Sequence, residues 1–199
     1  MPPELKHFYL FRHGECPFNL SGHIQGQSYD GELTAHGQSQ ARLIGQKLQD
    51  KHIEIIVSSP LKRTRQTAQI VASCLQVPIL FDQRLQEVNM GVVEGMLISE
   101  VEKRYAALYD KWRHCRLDDT TTRFENGETK YEVRRRVWAA LNHYARHTPF
   151  HNFAVSGHGI TLSQVMLHLG INNPDIPNGA VIHLTYDRGL WQYRDFVTD

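Results

Sequence analysis

Two histidines in this chain follow short apolar runs and sit between glycines or charges. Phe8-Tyr9-Leu10-Phe11 leads into Arg12-His13-Gly14-Glu15, and Phe153-Ala154-Val155 leads into Ser156-Gly157-His158-Gly159. A third apolar run, around Ile53 to Val57, leads into Ser58-Ser59-Pro60 and then Arg63. A neutral imidazole is a nucleophile and a proton carrier. A guanidinium offers forked donors that match phosphate oxygens. Arg12, His13, Arg63 and His158 brought together make a phosphate pocket, with one histidine left free to attack. Phosphoryl transfer then needs positioning, charge neutralisation and a proton for the leaving oxygen. Glu87, in a polar loop after the next strand, is the natural acid, and Glu94 is the other carboxylate of that loop. The cations do the neutralising, so this chemistry requires no metal. His143 and His147 have a spacing that can clamp a metal, but no HExxH context or nearby Cys accompanies them.

The elements that must position these residues read as alternating strands and helices. Phe8 to Phe11, with no Pro or Gly, is expected as a strand buried on both faces. Thr34 is expected to cap a helix reaching about Asp50, with Gly37, Ala41, Ile44, Gly45 and Leu48 on one face and close packing on the sheet. A second strand is expected at Ile53 to Val57. A helix follows, with Ser59 as N-cap and Pro60 at its first position. Arg63 falls in its first turn, where the dipole, Lys62 and Arg65 favour an anion. A short strand is expected at Pro78 to Phe81, one helix from Ile98 to Arg113, and a long helix from about Glu128 to His147. The Arg134-Arg135-Arg136 run of that helix reads as a solvated face. A strand at Phe153 to Val155, a helix to about Leu169, and a hairpin of Ala180–Tyr186 with Leu190–Arg194 close the chain. In a parallel sheet the strand-to-helix junctions lie on one edge, where α/β proteins bind ligands.

Composition excludes several classes. With 41% hydrophobic and 22% charged residues, 199 residues read as a single ordinary globular domain. A net charge of +1 gives no footprint for nucleic acid or an anionic membrane. There is no signal-peptide core or membrane-length apolar run, and Cys16, Cys74 and Cys115 lack metal or redox spacing. A cytoplasmic protein with free thiols is expected. None of the three is followed six residues on by Arg, which argues against a cysteine-based phosphatase loop.

Together these stretches resemble the histidine phosphatase superfamily, also called phosphoglycerate mutase-like. The matching stretches are RHGE at Arg12–Glu15 with Asn19, GHIQG at Gly22–Gly26 and DGELTAHGQSQA at Asp30–Ala41. They continue with SSPLKRTRQTA at Ser58–Ala68, EVNMGVVEG at Glu87–Gly95, GE at Gly127–Glu128 and VSGHG at Val155–Gly159. The resemblance implies an α/β three-layer sandwich. Its mostly parallel central sheet is flanked by helices, and a small helical insertion at about 96–127 roofs the site. It implies His13 as the phosphorylated nucleophile and Glu87 as proton donor. Arg12, Arg63 and His158 would bind phosphate, with Asn19, Gln25 and Gly159 beside them. Cys16 stands where the acid-phosphatase and phytase branch has Arg, and Gly159 stands where that branch has Asp, so the chain resembles the mutase-like branch. Cys16 and Phe18 depart from that branch's RHGETxWN and are expected as pocket-wall changes. The chain ends just past its last strand, with no tail to close over the site, and the insertion is compact. The expectation is therefore a phosphomonoester hydrolase acting on a small phosphorylated metabolite without a cofactor. A cofactor-dependent phosphoglycerate mutase and an inactive regulatory binding module are the alternatives. Lys103, Arg104, Arg113 and Arg116 of the insertion either meet a second anionic group or are solvated.

Overall fold

The computed structural model describes residues 5–172 and 176–197. Its six strands form one mixed sheet in the order β3-β2-β4-β1-β5-β6. These are β1 (Lys6–Arg12), β2 (Ile55–Ser58), β3 (Ile79–Phe81), β4 (Asn152–Gly157), β5 (Val181–Asp187) and β6 (Leu190–Phe196). The first four are mutually parallel, and the hairpin β5–β6 runs antiparallel beside β1. The seven α-helices of the described residues are α1 (Pro17–Ser21), α2 (Ala35–Lys47), α3 (Lys62–Leu75), α4 (Ile98–Arg104), α5 (Ala106–Arg113), α6 (Lys130–His147) and α7 (Gly159–His168).

Strand alternation divides the core into two layers. Phe8 and Leu10 of β1 join Ile55, Val57, Phe153 and Val155 on one face, against Val137 and Leu141 of α6 and Leu162 and Val165 of α7. Tyr9 and Phe11 join Ile56 and Ala154 on the other, against Ile44 of α2 and Ala68 and Val71 of α3. The apolar runs at β1 and β4 are thus buried on both faces, as expected of central parallel strands. In the crossover after β1, helix α2 packs on one face, and helix α7 after β4 packs on the other. Neighbouring β1 and β4 therefore send their chains apart, and the crevice between their carboxyl ends is where such sheets take ligands.

Several local expectations are corrected. Helix α2 is capped by Thr34, whose hydroxyl accepts from Gly37 N, but it ends at Lys47. Its small residues serve backbone and helix contacts rather than the sheet. A Cβ on Gly37 would lie 2.1 Å from the carbonyl oxygen of Glu15, and one on Gly14 2.3 Å from that of Gly37. Only glycine permits this crossing of the two backbones. Helix α3 starts at Lys62 behind Leu61, not at Pro60. The Ser59 hydroxyl bonds His158 at 2.8 Å and accepts from Leu61 N at 3.3 Å, before the helix begins, and the free N–H groups of Lys62 and Arg63 are met by the carboxylate of Asp30. The expected helix from Ile98 to Arg113 breaks at Tyr105, whose φ of −125° and ψ of 30° leave the helical region. The long helix starts two residues late, at Lys130, because Thr129 and Glu132 form a reciprocal capping box. The arginine run is not a solvated face. Arg134 is buried and donates to Gln164 Oε1 at 3.0 Å and to the Leu117 carbonyl, Arg136 reaches three loop carbonyls, and Arg135 alone is exposed.

Candidate active site

The parallel register pairs Arg12 with Gly157 and Ser58 with Ser156, so the residues leaving β1, β2 and β4 meet. His13 follows β1 and His158 follows β4, and their rings stand edge to face with centroids 5.4 Å apart. His13 is 2% exposed, and its Nδ1 lies 2.8 Å from the Gly14 carbonyl oxygen. A carbonyl only accepts, so Nδ1 carries the proton and Nε2 presents a lone pair. Asn178 Nδ2 donates to the His13 carbonyl at 2.9 Å, and Gly14 N donates to Thr67 Oγ1 at 3.1 Å, which fix the backbone around the ring. Burial, then Arg63 and Arg12, hold the His13 pKa well below its ordinary value. The ring is therefore neutral at neutral pH, as a nucleophile must be.

Arg63 is 1% exposed and fully engaged on one side. Its guanidinium donates to Asp30 Oδ1 at 3.0 Å and to the Gly26 carbonyl at 2.9 Å. The anion at the start of α3 is thus the protein's own Asp30, and Arg63 serves the cavity through its guanidinium. Arg12 Nη1 donates to the Ile176 carbonyl at 2.7 Å. Gly159 packs on Arg12, since a Cβ there would lie 3.3 Å from the guanidinium carbon. His158 is fully buried, bonded through Nε2 to Ser59 Oγ at 2.8 Å. Its pKa is pushed well down by burial first and then by Arg63, His13, Arg136 and Arg12.

A cavity of about 340 Å³ opens over this cluster. Of the expected residues, Arg12, His13, Asn19, Gln25, Arg63 and Glu87 line it, while His158 and Gly159 stand behind. Glu87 follows the short turn after β3 and reaches the start of α7. There its carboxylate accepts from Ile160 N at 3.2 Å, Thr161 N at 3.1 Å and Thr161 Oγ1 at 3.0 Å. Arg136 holds the Glu87 loop by donating to the carbonyls of Arg84, Gln86 and Glu87, and is itself paired with Glu128 at 2.9 Å. Glu94 does not line the cavity. Its carboxylate accepts from the backbone of Gln27, Ser28 and Met90, so it shapes a loop instead.

Cys16 is not a wall residue. It is fully buried, and its Sγ lies 3.0 Å from Asn19 Oδ1 and 3.1 Å from Gln25 Oε1. Burial pushes its pKa up, so it stays a thiol and a donor. Asn19 Oδ1 also accepts from the backbone N–H of Cys16 at 3.0 Å, so the one thiol proton is available to Gln25 Oε1; both amide oxygens face Cys16, and neither amide nitrogen has a partner among the described residues. Asp30, Ser59, Thr67, Arg136 and Asn178 were also missed as site residues. The one available signal was that Arg63 shares a helical face with the buried Thr67 and Val71, and a buried Arg demands a carboxylate, without saying which. Among the described residues no three His, Cys, Asp or Glu side chains are grouped to hold a metal ion, and no helix is long and apolar enough to cross a membrane.

A family model described as histidine phosphatase superfamily (branch 1) matches residues 8–199. The chain is 34% identical over 198 residues to the probable phosphoglycerate mutase GpmB of Escherichia coli, covering 96% of this chain and 90% of that protein. It is 40% identical over 134 residues to the corresponding protein of Serratia proteamaculans, a match spanning 67% of this chain and 60% of that relative's length. Among solved structures, Bacillus stearothermophilus YhfR superposes with a TM-score of 0.85 at 24% identity, covering 94% of each chain. A mycobacterial glucosyl-3-phosphoglycerate phosphatase superposes with a TM-score of 0.80 at 21% identity, covering 98% of this chain and 100% of that one. These two carry the fold, an α/β sandwich of phosphoglycerate mutase type.

Proposed function

The chain belongs to the histidine phosphatase superfamily (branch 1), and on that premise we propose that it hydrolyses phosphate monoesters through a phosphohistidine on His13. The observation that carries this reading is the Nδ1 contact of His13 with the Gly14 carbonyl, in a ring kept neutral by burial and two arginines. Nε2 attacks phosphorus while Arg12, Arg63 and the amides of Asn19 and Gln25 hold the phosphoryl oxygens. The bond from phosphorus to the ester oxygen breaks, and Glu87 gives its proton to that oxygen. The resulting Glu87 carboxylate then takes a proton from water, whose oxygen attacks the phosphohistidine. The P–N bond breaks and His13 returns neutral. Arg12 and Arg63, both buried or half-buried at the cavity floor, neutralise the transferring charge. The segment at about 96–127 forms the roof, since Ile98, Tyr109 and Trp112 line the cavity above the cluster.

The name of the GpmB relatives keeps phosphoglycerate mutase as a second reading. A mutase for that substrate must also hold a carboxylate. Lys103, Arg104, Arg113 and Arg116 are exposed and outside the lining, with Arg116 paired to Asp118 at 3.0 Å, which favours hydrolysis. The deciding experiment incubates wild type and His13→Ala with labelled phosphate esters, a phosphoglycerate among them. Acid-labile, base-stable label and released phosphate are expected in wild type alone. Label that persists in His13→Ala, or that maps to His158, removes His13 as nucleophile. Transfer to a second hydroxyl without release identifies a mutase.

A further inference from the structure

The chemistry of the phosphoryl end leaves the alcohol of the ester open, and the cavity wall narrows it. Around the His13 cluster the lining is polar. Much of the rest of the wall is apolar, with Phe18, Ile24 and Met90 joined by Ile98, Tyr109 and Trp112 of α4 and α5. Arg12 and Arg63 are the permanent cations among the described lining residues, and both belong to the phosphoryl end. The basic residues Lys103, Arg104, Arg113 and Arg116 of the insertion do not line the cavity: the guanidinium of Arg104 lies over the ring of Tyr105 at 5.4 Å, and that of Arg113 over the ring of the wall residue Tyr109 at 5.8 Å. His23 also lines the cavity, and its Nδ1 is engaged by Ser21 Oγ at 2.7 Å. Trp112 is seated against Phe124 with centroids 6.3 Å apart and under the ammonium of Lys130 at 4.3 Å, so this wall is braced.

Resting on the hydrolase reading above, we propose that the substrates are monoesters of an uncharged, largely apolar alcohol, of about one ring in size, seated on Ile98, Tyr109, Trp112 and Met90. A volume of about 340 Å³ is at the small end of ligand sites and admits a phosphate plus one such group. A second carboxylate placed against this wall loses its water without gaining a cation, which is costly. An apolar group gains by leaving water there.

The test compares kcat/KM for benzyl phosphate, glycerol phosphate and phosphoglycerate, three esters whose alcohols are similarly poor leaving groups. Benzyl phosphate is expected to lead the other two by at least about tenfold, the discrimination an apolar pocket supplies. Tyr109→Ser, at a half-buried position that should survive folding, is expected to collapse this ratio while leaving inhibition by inorganic phosphate in place. Arg104→Ala and Arg116→Ala are expected to leave the ratio unchanged. Phosphoglycerate turned over as well as benzyl phosphate, a ratio untouched by Tyr109→Ser, or phosphoglycerate turnover lost in His23→Ala or Arg116→Ala would each overturn the proposal with the hydrolase reading intact. No hydrolysis of any of the three, and no label on His13, overturns both.

Discussion

The buried histidine pair makes the fold sensitive to acid by an amount that can be worked out. His13 and His158 both have pKa values held well below the ordinary value, by burial first and then by the cations around them. In the unfolded chain each titrates near ~6.5. Below that pH the unfolded state binds protons that the native state refuses, so stability is complete above the unfolded pKa and is lost as pH falls toward the lower native values. Between about pH 7.5 and about pH 5.5 each such group removes about 1.4 kcal/mol, for as long as its native form stays neutral. Urea unfolding of wild type and His158→Gln at the two pH values, in buffer free of phosphate, isolates one of the pair. The acid-induced loss is expected to be about 1.4 kcal/mol smaller in the variant, whatever the substitution does to stability at neutral pH. Because His7, His168 and His183 are also lowered and remain in the variant, the difference reports His158. A loss equal in both proteins would refute the argument, since His158 would then titrate alike folded and unfolded. Phosphate supplies a second sign: a bound dianion favours the protonated imidazole, so adding it should shrink the acid loss in wild type.

Three further outcomes follow from the site. Asp30→Ala leaves the buried Arg63 guanidinium without its carboxylate and is expected to cost about 3–5 kcal/mol of stability. Phosphate should restore more stability to the variant than it adds to wild type, and a variant as stable as wild type in urea would remove Asp30 as the charge partner. Glu87→Gln should lose ~10²–10⁴-fold on alkyl phosphates and much less on an activated aryl phosphate, whose leaving group needs little protonation; equal losses on both would rule out Glu87 as the acid. Cys16→Ala releases the amide of Gln25, while Asn19 keeps its bond from the backbone N–H of residue 16, so KM and the inhibition constant of phosphate should rise several-fold more than kcat falls. Cys16→Ser, which restores a donor, should recover binding, and failure to recover it would argue for loss of packing instead.

What the sequence revealed and what it hid divide along the range of the interactions. The central strands were readable because burial on both faces leaves an unbroken apolar run, as at Phe8 to Phe11. Arg12 and His13 were readable because they end such a run, and Arg63 and Glu87 because they lie in the helix start and the loop that follow β2 and the edge strand β3. Asp30 was hidden because its partner lies 33 residues away, and nothing local distinguishes it from other loop carboxylates. Ser59 looked like a helix cap, because hydroxyls before Pro usually are, and the competing bond comes from His158, 99 residues on. Arg134 and Arg136 looked solvated because charged runs on helices usually are. Their long stems instead carry the guanidinium to carbonyls of loops packed beside α6, a role with no periodicity to detect. The break at Tyr105 was hidden because Val101, Leu108 and Trp112 keep helical phase across it.

His158 shows how burial and function meet in this cluster. The resemblance to the family made it a phosphate ligand, yet it is buried, bonded to Ser59 and set behind His13. Burial first, and then Arg63, His13, Arg136 and Arg12, keep a proton from it, with Asp30 offsetting part of the charge of Arg63. A phosphate dianion arriving over His13 works against the cations, because its charge exceeds what the two arginines and Asp30 leave uncompensated, while the cost of burial stays. A proton on His158 is then less unfavourable than without phosphate. Its Nδ1, buried and without a partner among the described residues, has unused hydrogen-bonding capacity. In the proposed reaction the nucleophile must stay neutral while its surroundings gain positive charge. Placing one histidine behind the other leaves any such proton to the rear ring and keeps the lone pair of His13 for phosphorus.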